Sequence, residues 1–151
     1  MMNQSKEKIY VIAHCLLNSK TRVKGIRRPD PFDTENKKII QLPCPEFIFA
    51  GPNRERKTKE DYDTPEYRKL CRNLFYPYAY MIETLEKEGN EIIIAGVPKS
   101  PSCGILTTTV SGFKNNENED AENEIVKGKG IFFEEIENEL NKRKIQYLMT
   151  E

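Results

Sequence analysis

Short apolar runs, three of them followed by a loop that carries a cysteine, are the feature that most constrains the fold of this chain. The runs at 9–13, 38–43 and 91–97 are short and largely apolar, as are strands buried in a parallel sheet. A fourth run at 145–149 predicts a last strand. Helical patterns separate the later runs. This alternation predicts a three-layer α/β fold, with a mostly parallel, Rossmann-like sheet and helices on both faces.

Two stretches show helical periodicity. Thr64 is an N-cap residue followed by proline, and apolar residues then recur at helical spacing over 70–85. Pro77 lies inside this pattern and predicts a kink or two abutting helices. A second apolar stripe spans 132–140. The remaining connections are predicted as loops: an irregular crossover from 18 to 38, a polar loop over 47–62, a polar stretch after Gly104 and a surface loop over 115–124.

Composition sets the class of protein. A length of 151 residues predicts a single domain, 1–151. Lys plus Arg equals Asp plus Glu at 24 each, so the net charge gives no argument for a nucleic-acid or membrane-surface partner. No apolar run approaches the roughly 20 residues of a membrane helix, and the N-terminal stretch does not resemble a secretory signal. We therefore expect a cytoplasmic protein whose cysteines are free, metal-bound or catalytic.

Three of the four cysteines share a position in the predicted fold. Cys15, Cys44 and Cys103 each follow the carboxyl end of a predicted strand, and these ends meet at one edge of a parallel sheet. Their spacing matches no zinc knuckle, whereas three converging thiolates suit a soft metal centre with one open position. The alternative is that each is a small buried apolar residue. Cys71 lies in a predicted helix, where packing explains it.

Three motifs in this order resemble a known family. They are His14-Cys15-Leu16-Leu17 with Arg22 and Gly25, Cys44-Pro45-Glu46 with Arg54 or Arg56, and Ser100-Pro101-Ser102-Cys103-Gly104. The chain is similar over about 8–104, and more weakly to the last helix, to the small iron–sulfur 2-thiouracil desulfidases. The resemblance implies a 4Fe–4S cluster with one open iron site, held by Cys15, Cys44 and Cys103. It also implies catalytic roles for Glu46 and Ser100.

Each of these side chains has an assigned role and a plainer alternative. Glu46 is expected to act as general base, and Ser100 to position a water or relay a proton. Ser102 and the backbone N–H of Gly104 are expected to hydrogen-bond cluster sulfurs, as cofactor-binding groups. Glu46 could instead cap a surface turn, and Ser100 could simply start a turn. His14 is interpreted as a buried histidine with satisfied hydrogen bonds.

The predicted function is iron–sulfur-dependent removal of sulfur from a thiolated pyrimidine base or nucleoside. The expected partner is this small molecule. The basic stretches 20–28 and 54–57 could take a phosphate, but the signal for tRNA is weak. Asn18 and Val23 replace the family's usual glycine and tyrosine, which leaves the substrate open. The oligomeric state is also left open, and a homodimer is one possibility. Two alternative functions remain: a sulfur-transfer protein and a non-catalytic Fe–S or zinc-binding module.

Overall fold

Four parallel strands form the sheet at the centre of the molecule. The computed structural model describes residues 6–23, 32–111 and 123–151. The strands are β1 (Lys8–Ile12), β2 (Lys38–Gln41), β3 (Glu91–Ala95) and β6 (Leu148–Thr150), in the order β2-β1-β3-β6. The predicted α/β class with a parallel sheet is confirmed.

The two long helices cover one face of this sheet. They are α3 (Pro65–Lys87) and α4 (Ile131–Lys142), and they pack against each other. The β2-to-β3 and β3-to-β6 crossovers run in the same direction across the sheet, so right-handed connections place both helices on the same side. The link from β1 to β2 runs in the opposite direction. Over the described residues it holds short 3-10 turns, in agreement with the predicted irregular crossover.

The core lies between the sheet and the helices. Ile9 and Val11 of β1 pack with Phe75 of α3 and Phe132 of α4 in one buried cluster. Helix α3 begins as predicted, because the Thr64 hydroxyl accepts a hydrogen bond from the backbone N–H of Tyr67 at 3.2 Å. The helix is continuous across Pro77, so the prediction of two abutting helices is wrong.

Four short elements were predicted as loop. Helices α1 (Pro45–Ala50) and α2 (Lys59–Tyr62) lie where the polar loop after Cys44 was expected. Strands β4 (Thr107–Val110) and β5 (Glu124–Lys127) form an antiparallel pair after Gly104. The last strand is β6, which starts three residues later than expected. Residues 24–31 of the predicted crossover and 115–122 of the predicted surface loop lie outside the described residues. No helix in the described ranges is long and apolar enough to span a bilayer.

Candidate functional site

The three cysteines of the predicted site follow the ends of three neighbouring strands. Cys15 lies in a 3-10 turn, His14–Leu16, directly after β1. Cys44 is the N-cap residue of α1, just after β2. Cys103 lies in the loop after β3, and its carbonyl accepts a hydrogen bond from the N–H of Val97 at 2.7 Å, which folds the loop back onto the strand. Because the strands are parallel, all three cysteines belong to one edge of the sheet.

The pKa shifts indicate that charged groups lie close to Cys103. Burial raises the pKa of Cys103 well above its ordinary value, and the charges of Cys15 and Cys44, followed by those of Glu46 and Cys71, raise it further. Burial also raises the pKa of Cys15 to about 11, against a lowering by Arg22. The pKa of Cys44 is raised by burial, while the backbone N–H of Phe47 lowers it. The thiols therefore form one group with a common electrostatic environment.

The Cys103 loop is built on the side chain of Ser100. Its Oγ accepts hydrogen bonds from the backbone N–H groups of Cys103 at 3.0 Å and Ser102 at 3.3 Å. This is the turn-starting role that the sequence left as an alternative. The hydroxyl proton of Ser100 is not used in these two bonds, so the group keeps a donor. Its catalytic role stays a prediction.

The two predicted cofactor-binding groups already have partners. The Ser102 hydroxyl is fully buried and shares a 2.6 Å hydrogen bond with the Tyr67 hydroxyl. The N–H of Gly104 donates to the carbonyl of Ser100 at 3.1 Å, so this donor is engaged within the loop. Glycine is needed at this position because a Cβ would lie 2.0 Å from the carbonyl oxygen of Thr107. Hydrogen bonding of either group to a cluster stays a prediction.

The same loop caps helix α4. The N–H groups of Gly130, Ile131 and Phe133 donate to the carbonyls of Gly104, Pro101 and Ser102, at 2.9, 2.9 and 3.2 Å. These carbonyls satisfy donors that a helix start leaves without a partner inside the helix. The N-terminal end of α4 therefore adjoins Cys103, and its dipole favours negative charge there.

Glu46 lies in the first turn of α1, buried beside Cys44. Its carboxylate is 3.5 Å from the Nε of Arg54, and both side chains are almost wholly buried, at 11% and 3% exposed. Its charge is among the causes that raise the pKa of all three site cysteines. Glu46 is therefore a buried, ion-paired carboxylate next to the thiols, and the surface-turn alternative is wrong.

Two arginines flank the thiols. Arg22 lies beside Cys15 and lowers the pKa of that thiol by its charge and a hydrogen bond. Arg54 is the arginine of the second motif that reaches the site, whereas Arg56 is exposed. The loops that carry Arg22, Arg54 and the three cysteines therefore meet in one buried region. Arg22 and Arg54 both belong to the motifs described above, but the sequence alone gave no role to either.

Other residues at the site were missed or placed differently. Tyr67 of α3 contacts Ser102, and burial together with the charge of Glu46 raises its pKa. A tyrosine in a helical stripe is typical of core packing, so its sequence gives no sign of this contact. His14 is partly exposed rather than buried, and its ring contacts the side-chain amides of Asn18 and Gln41.

The donor groups of the site differ from those of a site for a single metal ion. Within 6–23, 32–111 and 123–151, no three His, Cys, Asp or Glu side chains are placed as ligands of a single metal ion. In a 4Fe–4S cluster each thiolate binds a different iron, so its ligands are spread wider than around one ion. Cys71 is fully buried in the core, and burial raises its pKa to about 12.

The chain is 35% identical over 147 residues to the uncharacterized protein MJ0003 of Methanocaldococcus jannaschii, an alignment that covers 92% of this chain and 81% of the relative. No protein-family model matches the chain, and no solved structure matches it. The identity and the coverage of both sequences show that the chain belongs to the same family as this archaeal protein.

Proposed function

We propose that the protein is an iron–sulfur-dependent desulfidase, which hydrolyses a thiolated pyrimidine base or nucleoside to the oxo compound and sulfide. The observation that supports this most is the grouping of Cys15, Cys44 and Cys103 around the buried carboxylate of Glu46. A buried, positioned carboxylate beside soft ligands suits hydrolysis at a thiocarbonyl carbon.

The donor set fits a 4Fe–4S cluster with one iron not bound by cysteine. Cys15, Cys44 and Cys103 would hold it, and the α4 N-terminus, Arg22 and Arg54 would offset its negative charge. When bound, such a cluster supplies a Lewis acid for the soft thiocarbonyl sulfur of the substrate. The fourth cysteine, Cys71, is packed in the core with Tyr67 and is not needed as a ligand.

Glu46 is assigned as the general base. Its carboxylate takes a proton from the water that attacks the thiocarbonyl carbon, and the C–S bond then breaks to release sulfide. The ion pair with Arg54 holds the carboxylate in place for this role. A positioned base of this kind contributes roughly 10²–10⁴-fold to the rate.

Ser100, in the loop after β3 at the same edge of the sheet, is assigned to the same step. In both of its observed hydrogen bonds the Ser100 Oγ accepts from a backbone N–H group. The hydroxyl proton is therefore free to donate to another group. That proton is available to orient the attacking water or to reach the ring nitrogen of the substrate. A Ser100→Ala change would therefore disturb both the loop and the reaction, which makes it a poor single test.

The test is anaerobic reconstitution with iron and sulfide, followed by measurement of iron content, visible spectrum and sulfide release from 2-thiouracil and 2-thiouridine. We expect about four irons per chain and sulfide release from one of the two compounds. Glu46→Gln should keep the iron and lose about 10²-fold or more of the rate. Cys15→Ala should lose the iron.

Cys71→Ala is the matched control for the cysteine variants. It removes a thiol from the core and should keep both iron and turnover. Loss of iron in this variant would indicate a four-cysteine structural site instead. Failure of the native chain to bind iron would overturn the proposal, and iron binding without sulfide release would leave a binding module.

A further inference from the structure

A buried tyrosine of α2 brings a hydroxyl group to the side of the candidate site that carries Glu46. Tyr62 is the last residue of α2 and is only 1% exposed. Its hydroxyl oxygen is buried and has no hydrogen-bond partner among the described residues. A buried hydroxyl without a partner is destabilising, and in native proteins such groups usually bond to another protein group or to an ordered water.

The Tyr62 hydroxyl lies near two charged groups of the site. Burial raises the pKa of Tyr62 and the charge of Glu46 raises it further, whereas Arg54 lowers it. Charges act in this way only at short range, so both groups lie close to the polar end of the ring. Because its pKa is raised, the phenol stays protonated at neutral pH and keeps a proton to donate.

The Glu46 carboxylate is fixed and still has acceptor sites. It lies 3.5 Å from the Nε of Arg54, and other nitrogens of this guanidinium donate to the carbonyls of Thr21 and Gly51. A carboxylate offers about four lone-pair positions, of which one ion pair uses a part. A water molecule complements a carboxylate and a hydroxyl side by side, because it can donate to the first and accept from the second.

Packing holds the Tyr62 ring in place. Its centroid is 4.8 Å from that of the Tyr67 ring, and the Tyr67 hydroxyl is itself bonded to Ser102. Helix α2 begins at a cap in which the N–H and the hydroxyl of Thr58 donate to the Asp61 carboxylate at 2.9 and 3.0 Å. The Tyr62 hydroxyl therefore has a rigid support, as a group that positions a reactant requires.

We propose that Tyr62 and Glu46 together hold one water molecule, and that this is the water which Glu46 deprotonates. The inference rests on the proposed function for the reaction of the water, but not for its binding. The water donates one hydrogen to the Glu46 carboxylate and accepts one from the Tyr62 hydroxyl. Its second lone pair is then free to attack the thiocarbonyl carbon. Tyr62 is a positioning residue, since it acts through the water.

A crystal structure of the full chain at high resolution tests the water site directly. We expect a water within hydrogen-bonding distance of both the Tyr62 Oη and a Glu46 carboxylate oxygen, and we expect Tyr62→Phe to lose it. A Tyr62 hydroxyl bonded to a protein group, with no water on it, would overturn the proposal.

Unfolding in urea distinguishes a hydroxyl bonded to water from one bonded to protein. Tyr62→Phe removes a hydroxyl without a protein partner, so the urea midpoint of the metal-free chain should stay close to that of the native chain. Tyr67→Phe is the contrast. It leaves the buried Ser102 hydroxyl without its partner at 2.6 Å, so its midpoint should fall. Equal losses in the two variants would contradict the assignment of Tyr62 to a water.

Sulfide release by the reconstituted chain tests the role of this water. With the better of 2-thiouracil and 2-thiouridine, Tyr62→Phe should lower kcat roughly 10-fold and leave KM unchanged, because the hydroxyl holds the water and not the substrate. Tyr80→Phe makes the same chemical change at a position 72% exposed and should alter neither constant. An unchanged kcat in Tyr62→Phe would overturn the positioning role.

The outcomes separate this inference from the proposed function. A water on Tyr62 and Glu46 in a native chain that releases no sulfide would uphold the water site and remove the desulfidase, and with it the reaction of the water. Sulfide release that depends on Glu46 but not on Tyr62 would uphold the desulfidase and overturn this inference.

Discussion

Arg54 is the side chain that joins the loops of the candidate site. One guanidinium nitrogen donates to the carbonyl of Thr21 at 2.7 Å and another to the carbonyl of Gly51 at 3.0 Å. The third, Nε, lies 3.5 Å from the carboxylate of Glu46. A planar group with donors in a fixed fork is suited to three such contacts, which lysine cannot reproduce.

Removing Arg54 should leave a buried carboxylate without its partner. We expect Arg54→Met to lower the free energy of unfolding by about 3 kcal/mol, the usual cost of breaking a buried pair from one side. The double variant Arg54→Met/Glu46→Gln should be more stable than the single one, because no buried charge remains unpaired. Urea denaturation of the metal-free chain measures both.

Arg56→Met provides the comparison, since Arg56 is exposed and only two residues away. Its free energy of unfolding should change by less than about 0.5 kcal/mol. Equal losses for Arg54→Met and Arg56→Met would contradict the assignment of Arg54 to the ion pair.

At the scale of residues, motifs in the sequence suggest candidate catalytic and metal-binding groups but not what else those groups contact. The carboxylate of Glu46 and the hydroxyl of Ser100 were predicted as site residues from their motifs. That Ser100 accepts two N–H bonds, or that Ser102 pairs with Tyr67, depends on residues distant in the chain. Such contacts are set by packing, which short-range patterns do not contain.

At the scale of elements, helix α4 and the Cys103 loop form one unit. The helix start is capped by loop carbonyls rather than by a side chain, and Gly130 is the point of closest approach. A Cβ at Gly130 would lie 2.3 Å from the carbonyl carbon of Ser102 and 2.6 Å from its oxygen. Both are backbone atoms, so the helix or the loop would have to move.

Gly130→Ala should therefore be costly. We expect a loss of about 2–3 kcal/mol in the free energy of unfolding, as for overpacking of an interior. Gly89→Ala is the comparison: Gly89 has φ of 97° but nothing within 4 Å of its Cβ position. Backbone strain alone should cost it about 1–2 kcal/mol. A smaller loss for Gly130→Ala than for Gly89→Ala, by urea denaturation, would contradict the close contact.

The sequence predicted the long elements better than the short ones. The apolar periodicity of α3 and α4 extends over several turns, so their existence is clear from the pattern. Helix α1 has only six residues, although Pro45 after an N-cap position is a recognisable helix start. Strand β4 contains a run of β-branched residues. Its partner β5 follows only after residues 112–122, so the sequence has no short turn between the two that would predict a hairpin.

At the scale of the whole molecule, ion pairs at the ends of the long helices link the α3–α4 layer. Arg68 of α3 contacts Asp63 at 2.6 Å and Glu135 of α4 at 3.1 Å. Arg143, just after α4, contacts Glu83 of α3 at 2.8 Å. Hydrogen bonds from Arg68 lower the pKa of Asp63, and those from Lys87 and Arg143 lower the pKa of Glu83.

These shifts predict a loss of stability in acid. A carboxylate with a lowered pKa in the folded state stabilises the fold above the unfolded pKa of about 4, and this contribution is lost as the pH falls through the lowered value. We expect Arg143→Gln to flatten the dependence of the urea midpoint on pH between pH 5 and 2. Lys142→Gln, a neighbouring exposed cation, should leave the slope unchanged. Equal slopes for the native chain and Arg143→Gln would contradict the coupling.

The strand order has a consequence for the making of the protein. The central strand β1 pairs with β3, and its last pair joins Ile12 to Ala95. The inner pair of the sheet can therefore form only after residue 95 has been synthesised. A ribosome adds residues in sequence order, and Cys15 and Cys44 leave it well before Cys103. During that interval both thiols lie at the ends of β1 and β2 without the loop that carries Cys103, open to oxidants and to stray metal ions. The grouping of the three thiols is therefore a late event of biosynthesis, and any cofactor that needs all three is inserted only after Cys103 has been made.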